Sequence, residues 1–195
     1  VEDIARTYFR ERSGSGGGGE GGAYTSCPDS NHPHMIDLGL PSGTKWACCN
    51  VGATTLEGYG GYYAWGETEE KDVYSWSTYR WGSDYNQLTK YNTSSIYGVV
   101  DNKVTLDASD DVAIAKWGSG WCMPSHAQQE ELVSNTTSEW TTVNGIKGRK
   151  FTGSNGSTIF LPTAGWRNDS DLKYVGSYGI YFPARLDLQI QPSVC

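Results

Sequence analysis

Three sets of side chains in this 195-residue sequence are of types that could do chemistry. The first is a series of rings with polar neighbours: Trp65, Trp76, Tyr79 and Trp81, then Trp166-Arg167-Asn168-Asp169 followed by Tyr174, Tyr178 and Tyr181. Ring faces stack on the apolar faces of sugars while Asn, Asp and Arg bond hydroxyls. Tyr, Trp and Arg are also the residues that protein interfaces favour. Taken one by one, most of these rings are expected to build a small core inside their own loop. The second set is Asp107, Asp110 and Asp111. Calcium takes several carboxylate oxygens, but acids at a helix start also complement its dipole, and that simpler role is the expectation. The third is His32 and His34, which face the same way on an extended chain with Cys27 or Asp29 nearby. A metal site is conceivable there, yet two histidines two apart with no acid partner read first as a solvated loop.

Catalysis has weaker support. Glu67, Glu69 and Glu70 supply paired carboxylates, but a glycosidase needs two carboxyl groups held roughly 5–9 Å apart across a cleft, and a turn-like acidic run reads as solvated. A Ser-His-Asp arrangement would have to use His126, placed on the first turn of a short helix where a surface role is the default. The expectation is a protein without catalytic activity.

The five cysteines are Cys27, Cys48, Cys49, Cys122 and Cys195. None forms a CxxC pair, so the spacing does not match a zinc site. Cys48 and Cys49 are adjacent and on a strand would point to opposite faces, so they should not pair with each other. One of them could bridge to Cys27, Cys122 or Cys195, and the odd count leaves at least one thiol unpaired or linked outside the chain. Several buried as small apolar side chains is an equal reading.

Elements must position these groups. Ser125 follows Met123-Pro124 and can cap the amide of Gln128, which predicts a helix from Ser125 to about Ser134. A second helix is expected over 107–117. Strands are expected at 35–38 and 45–51, joined by the Pro41-Ser42-Gly43 turn. Further strands are expected at 59–65, 146–152, 158–161, 179–182 and 186–190. On 45–51, Trp46 and Cys48 would share one face, with Ala47, Cys49 and Val51 on the other. Residues 66–106 lack periodicity and carry many rings, so they must pack by those rings or sit on a ligand. Strands enclosing two helices read as α+β.

Composition agrees. The hydrophobic share is 37%, the aromatic share is 13%, and there are 25 Gly, so rings must supply much of the core and turns are frequent. A net charge of −7 argues against a nucleic-acid groove and against anionic membrane surfaces. No apolar run is long enough to cross a bilayer. A start at Val1 reads as a mature or trimmed product. Residues 1–12 read as a leader, either a helical tail or a segment that docks on an assembly partner. Residues 13–23 read as a Gly-rich flexible linker, and the domain is expected over 24–195.

Five ordered phrases carry a resemblance: IDLGLPSGTKWACCNVGA (36–53), YGGYYAWGETEEK (59–71), YSWSTYRW (74–81), TLDASDDVAIAKWGSGWCMPSHAQQEEL (105–132) and SEWTTVNGIKGRKFTGSNGSTIFLPTAGWR (138–167). Together they resemble the Fibrobacter succinogenes major paralogous domain, a domain of Bacteroidetes surface proteins distantly similar to sulfatase-modifying-factor domains. The resemblance implies a C-type-lectin-like α+β domain with two short helices, small antiparallel sheets and long irregular loops, exported and extracellular or cell-surface. The chain departs from that pattern at Cys122, where the family has Arg, and in a shortened C-terminal region. The cysteine pair used by formylglycine-generating relatives has no counterpart after residue 122, where only Cys195 remains.

The reading is a non-catalytic surface module for ligand binding or adhesion, taking a glycan or a protein partner through its aromatic loops. The alternative is a structural or tip subunit of a surface assembly, pilus-like or phage-like; a formylglycine-generating-type enzyme comes third. No cofactor is expected, calcium aside.

Overall fold

The computed structural model describes residues 31–185. The leader, the linker, Cys27, Cys195 and the strand expected at 186–190 lie outside them. The described chain is α+β: two helices with small antiparallel sheets.

The chain opens with β1 (Met35–Asp37), paired antiparallel to β2 (Lys45–Ala47) with Ile36 opposite Trp46. Alternation puts Ile36, Leu38 and Leu40 inside. Pro41 and Ser42 then turn the chain, closed by the Gly43 N–H bonding to the Leu40 carbonyl at 2.9 Å, with Gly43 at φ +71°. The turn is clamped from a distance: Glu131 accepts from the Ser42 N–H at 2.7 Å and from its hydroxyl at 2.6 Å.

Residues 48–106 contain no long strand. The stretch 59–65, expected to be one, is irregular. It makes side-chain ties instead, such as the Tyr62 hydroxyl donating to the Ala164 carbonyl at 2.6 Å. The helix expected over 107–117 starts later. A short 3₁₀ turn holds Ala108–Asp110, and α1 runs Val112–Trp117. Asp111 is its cap, with one carboxylate oxygen accepting from the amides of Ala113 and Ile114. α2 (His126–Asn135) has the expected start: Ser125 accepts from the Gln128 amide, and the Gln128 side chain accepts from the Ser125 amide. Leu132 carries its buried face.

The main sheet is β3 (Thr137–Val143), β4 (Ile146–Thr152) and β5 (Thr158–Pro162), all antiparallel. β3 was not anticipated. Its signal is Asn144-Gly145, where both residues take positive φ, 48° and 85°, as the tightest hairpin turns demand. The last pair, β6 (Trp166–Asn168) and β7 (Asp171–Lys173), is also unanticipated. Residues 179–182 form only a bridge, Gly179 to Gly165.

Two buried clusters hold these pieces together. One gathers Leu38, Trp46, Leu132, Phe151, Ile159 and Tyr181 with Cys48 and Cys49. The other gathers Ala47, Val51, Val112, Ala113, Trp121 and Met123. Ala47 and Val51 thus oppose Trp46 and Cys48 as expected, but Cys49 does not. β2 ends at Ala47 and the backbone bends at Cys48, so strand alternation no longer applies.

Candidate aromatic binding surface

The β6–β7 hairpin and the turn after it build the candidate site. Trp166 and Arg167 lie on β6, Asn168 ends it, and Asp169 takes the tight turn at φ 53°. Asp169 is fixed by two backbone bonds to Tyr74, at 2.8 and 2.9 Å. After β7, Tyr174 enters a turn in which its carbonyl accepts from the amides of Ser177 and Tyr178 at 3.0 Å. This turn is pinned from below: the Gly176 N–H reaches the Thr163 carbonyl at 2.8 Å and the Gly165 N–H reaches the Tyr178 carbonyl at 2.6 Å. Gly165 has φ +70°, and a Cβ there would sit 2.1 Å from the Lys173 carbonyl oxygen, so no other residue fits.

Three rings result. Trp166 stacks on Tyr174 with centroids 4.6 Å apart, and Tyr178 stands edge-on to Tyr174 at 5.7 Å. Tyr174 and Tyr178 are 56% and 54% exposed, and Leu172 and Val175 beside them in sequence are also exposed. Arg167 spreads its guanidinium over Tyr62 at 5.5 Å and donates through Nη1 to the Ser170 carbonyl at 3.3 Å. Its Nε is buried with no hydrogen-bond partner, an uncommon state for a buried donor.

Next to the rings is a cavity of about 100 Å³. Tyr62, Trp65, Glu67, Trp166, Arg167 and Tyr181 are among its walls. Ligand pockets for drug-sized molecules run about 300–1,000 Å³, so this one admits a small group, not a whole ligand. Burial pushes the Tyr62 and Tyr74 hydroxyls above their ordinary pKa and Tyr63 up to about 12, with Arg167 partly offsetting the rise at Tyr62 and Tyr74. These phenols stay neutral at neutral pH, and the Tyr62 and Tyr74 hydroxyls donate to the Ala164 and Tyr62 carbonyls.

The structure divides the sequence-derived candidates. It brings together Trp166, Tyr174 and Tyr178, while Arg167 packs on Tyr62 and Asn168 and Asp169 sit at the hairpin tip. Trp65 and Tyr181 turn inward instead. Trp65 donates its indole N–H to the Pro183 carbonyl at 2.9 Å. The Tyr181 hydroxyl donates to the Pro162 carbonyl at 2.6 Å and accepts from Asn50 at 3.1 Å. Trp81 packs edge-on against Tyr91 and bonds the Gly66 carbonyl at 2.8 Å. Trp81 and Trp65, both edge-on to Tyr91, help hold residues 66–106 in shape. Trp76 and Tyr79 line a separate shallow depression of about 630 Å³ with Leu88 and Val99. Tyr62 escaped notice because the YGGYYAW run read as a strand.

The acids have other work. Lys90 lies 2.6 Å from both Asp107 and Asp110, and Lys103 lies 2.7 Å from Asp107. Asp110 also accepts from the Tyr91 hydroxyl at 2.5 Å. The second Asp111 oxygen accepts from the Met123 amide at 2.8 Å. The three aspartates therefore meet cations and amides, and they do not converge on one centre. Glu67 bonds Lys71 and the Arg80 amide, Glu69 bonds Lys116, and Glu70 takes the Tyr62 amide. No two of these three share a partner. His126 is exposed, 3.6 Å from Glu130.

His32 and His34, expected in a solvated loop, are both half-buried and turned toward Cys48. The sequence hid this because the sulfur is fourteen or more positions away. Among the described residues, no helix is long and apolar enough to cross a membrane.

Comparison with known proteins finds no match: no family model, no curated protein and no solved structure aligns with this chain.

Proposed function

We propose that the chain is a non-catalytic ligand-binding module of the C-type-lectin-like kind, displayed outside the cell, that takes a glycan through the surface of Trp166, Tyr174 and Tyr178. The observation that carries this is the pair of exposed tyrosines held by four backbone bonds on a turn whose geometry requires Gly165. Ring surfaces fixed before binding lose little entropy when a ligand arrives. Arg167, Asn168 and Asp169 follow Trp166 directly on β6 and its turn and supply polar groups near the rings in sequence. The resemblance to the Bacteroidetes surface domain supports display outside the cell.

Two features favour binding over catalysis. The cavity by the rings is too small to enclose a substrate, and Glu67, Glu69 and Glu70 each bond a separate structural partner. A glycan array probed with the purified chain tests the reading. Sugar hits that disappear on Tyr174→Ala with Tyr178→Ala support it, and hits that survive both changes contradict it. A protein partner binding the same rings is the second reading, favoured by Leu172 and Val175, since exposed apolar neighbours suit a protein interface. Silence on the array, with binding to a surface protein that the same changes abolish, selects it.

A further inference from the structure

The geometry points to a zinc site made by His32, His34 and Cys48, at the place where the chain enters the folded core. The ligand atoms of His32, His34 and Cys48 lie within 4.8 Å of one another. His32 Nδ1 is 3.3 Å from the Cys48 sulfur, and His34 Nδ1 is 3.6 Å from it. Cys49 stands beside them, its sulfur 3.5 Å from His32 Nδ1 and 3.8 Å from that of Cys48.

The separations around the Cys48 sulfur match those between neighbouring ligands of a tetrahedral zinc. Zinc bonds thiolate at about 2.3 Å and imidazole nitrogen at about 2.0–2.1 Å. Tetrahedral angles then put two sulfurs about 3.8 Å apart and a sulfur and a nitrogen about 3.5 Å apart. Hydrogen bonding does not explain the same set as well. One ring N–H points along one line, whereas His32 Nδ1 approaches both sulfurs and the Cys48 sulfur meets two ring nitrogens. The two imidazoles are inclined at 73°, with centroids 5.3 Å apart, so they approach from different vertices. Thiolate and imidazole donors in a tetrahedral set suit zinc among the common divalent ions.

The surroundings fit a thiolate ligand. The His34 amide donates to the Cys48 sulfur at 3.3 Å, and the Cys48 amide donates to the His34 carbonyl at 3.0 Å. Both cysteines are nearly fully buried in the cluster that contains Trp46 and Phe151. Burial disfavours a lone thiolate but not one bound to a cation. The bend after Ala47 brings both cysteine sulfurs to the His32 side. Three protein ligands leave one position of the tetrahedron for water or for Cys49 after a small side-chain shift, and the metal staples residues 32–34 to the end of β2. Binding exchanges each thiol proton for a bond to zinc, with the protons leaving to solvent and no change of oxidation state.

The test is metal analysis of the whole chain, purified in reductant and equilibrated with micromolar zinc. One zinc per chain is expected. Cobalt in its place should give the sulfur-to-metal charge-transfer band of thiolate ligation and the intense visible absorption of a tetrahedral site. Chelation should lower the melting temperature by about 5–10 °C. Cys48→Ser and His32→Ala should each weaken zinc by tenfold or more. Should a variant fail to fold, the cobalt spectrum of the unaltered chain still decides. No bound zinc, a cobalt spectrum without the sulfur band, or full zinc retention by folded Cys48→Ser would each overturn the site.

Discussion

The Trp166 indole lies on the Tyr174 ring with centroids 4.6 Å apart and planes 26° from parallel. β6 supplies one ring and the turn after β7 the other, so the stack depends on that turn keeping its shape. The chain beneath holds it: the Gly165 amide donates to the Tyr178 carbonyl, and the Thr163 carbonyl accepts from the turn's own Gly176 amide.

Gly165→Ala should therefore damage both fold and binding. The added methyl would press on the Lys173 carbonyl at a positive φ, a strain of about 1–3 kcal/mol. Urea denaturation should show the loss, and tyrosine and tryptophan fluorescence should report altered ring surroundings in the folded protein.

Tyr181→Phe separates a core ring from a binding ring. It removes a hydroxyl that joins the Pro162 carbonyl to Asn50, so a buried Asn50 N–H loses its acceptor and the Pro162 carbonyl keeps only the Ala164 amide of these two donors. A loss of about 1–3 kcal/mol is expected on chemical unfolding, with ligand affinity of the folded fraction unchanged.

Asp110 gives a pH signature. Burial works to raise its pKa, but Lys90, Tyr91 and Ser109 outweigh burial and hold it below the ordinary carboxylate value. A folded pKa below the unfolded one stabilises at pH above the unfolded value, about 3.9, and that stabilisation is lost as pH falls through the folded pKa. Unfolding free energy should drop below about pH 4. Asp110→Asn should flatten this drop and lower stability at neutral pH by about 1–3 kcal/mol. Asp101 and Asp107, also held low, keep part of the slope. Asp111 acts in the opposite sense: burial raises its pKa, so protonating it favours the folded state. Circular dichroism melts between pH 2 and 7 check the sign.

What could be read in the sequence was local. Ser125 and Gln128 are three apart, and their capping box forms as spaced. The Pro41-Ser42-Gly43 turn and the alternation through Ile36, Leu38 and Leu40 also need only neighbours. Asn144-Gly145 was equally local and would have given β3. The Trp166-to-Tyr178 stretch was located by its composition, but its mutual stacking depends on Gly165, whose need for glycine comes from the distant Lys173 carbonyl. Cys48 and Cys49 were placed on opposite faces by assuming a strand that runs to Val51. The strand stops at Ala47, and nothing in residues 45–51 marks that stop. Which rings turn inward was equally hidden, because Trp65 and Tyr181 are fixed by Pro183, Pro162 and Asn50, far along the chain.

Exposed rings differ from buried ones in what they cost to remove. Tyr174→Ala and Tyr178→Ala should each shift stability by only about 0.5 kcal/mol or less, whereas losing a central aromatic contact weakens a complex by about 2 kcal/mol or more. The decisive measurement is calorimetric titration of the best array glycan into the unaltered chain and into the doubly substituted chain, with melting curves for both. Saturable binding that falls at least tenfold in the double variant, at an unchanged melting temperature, is the predicted result. Equal affinity in the two proteins would contradict the ring surface as the place where this chain holds its ligand.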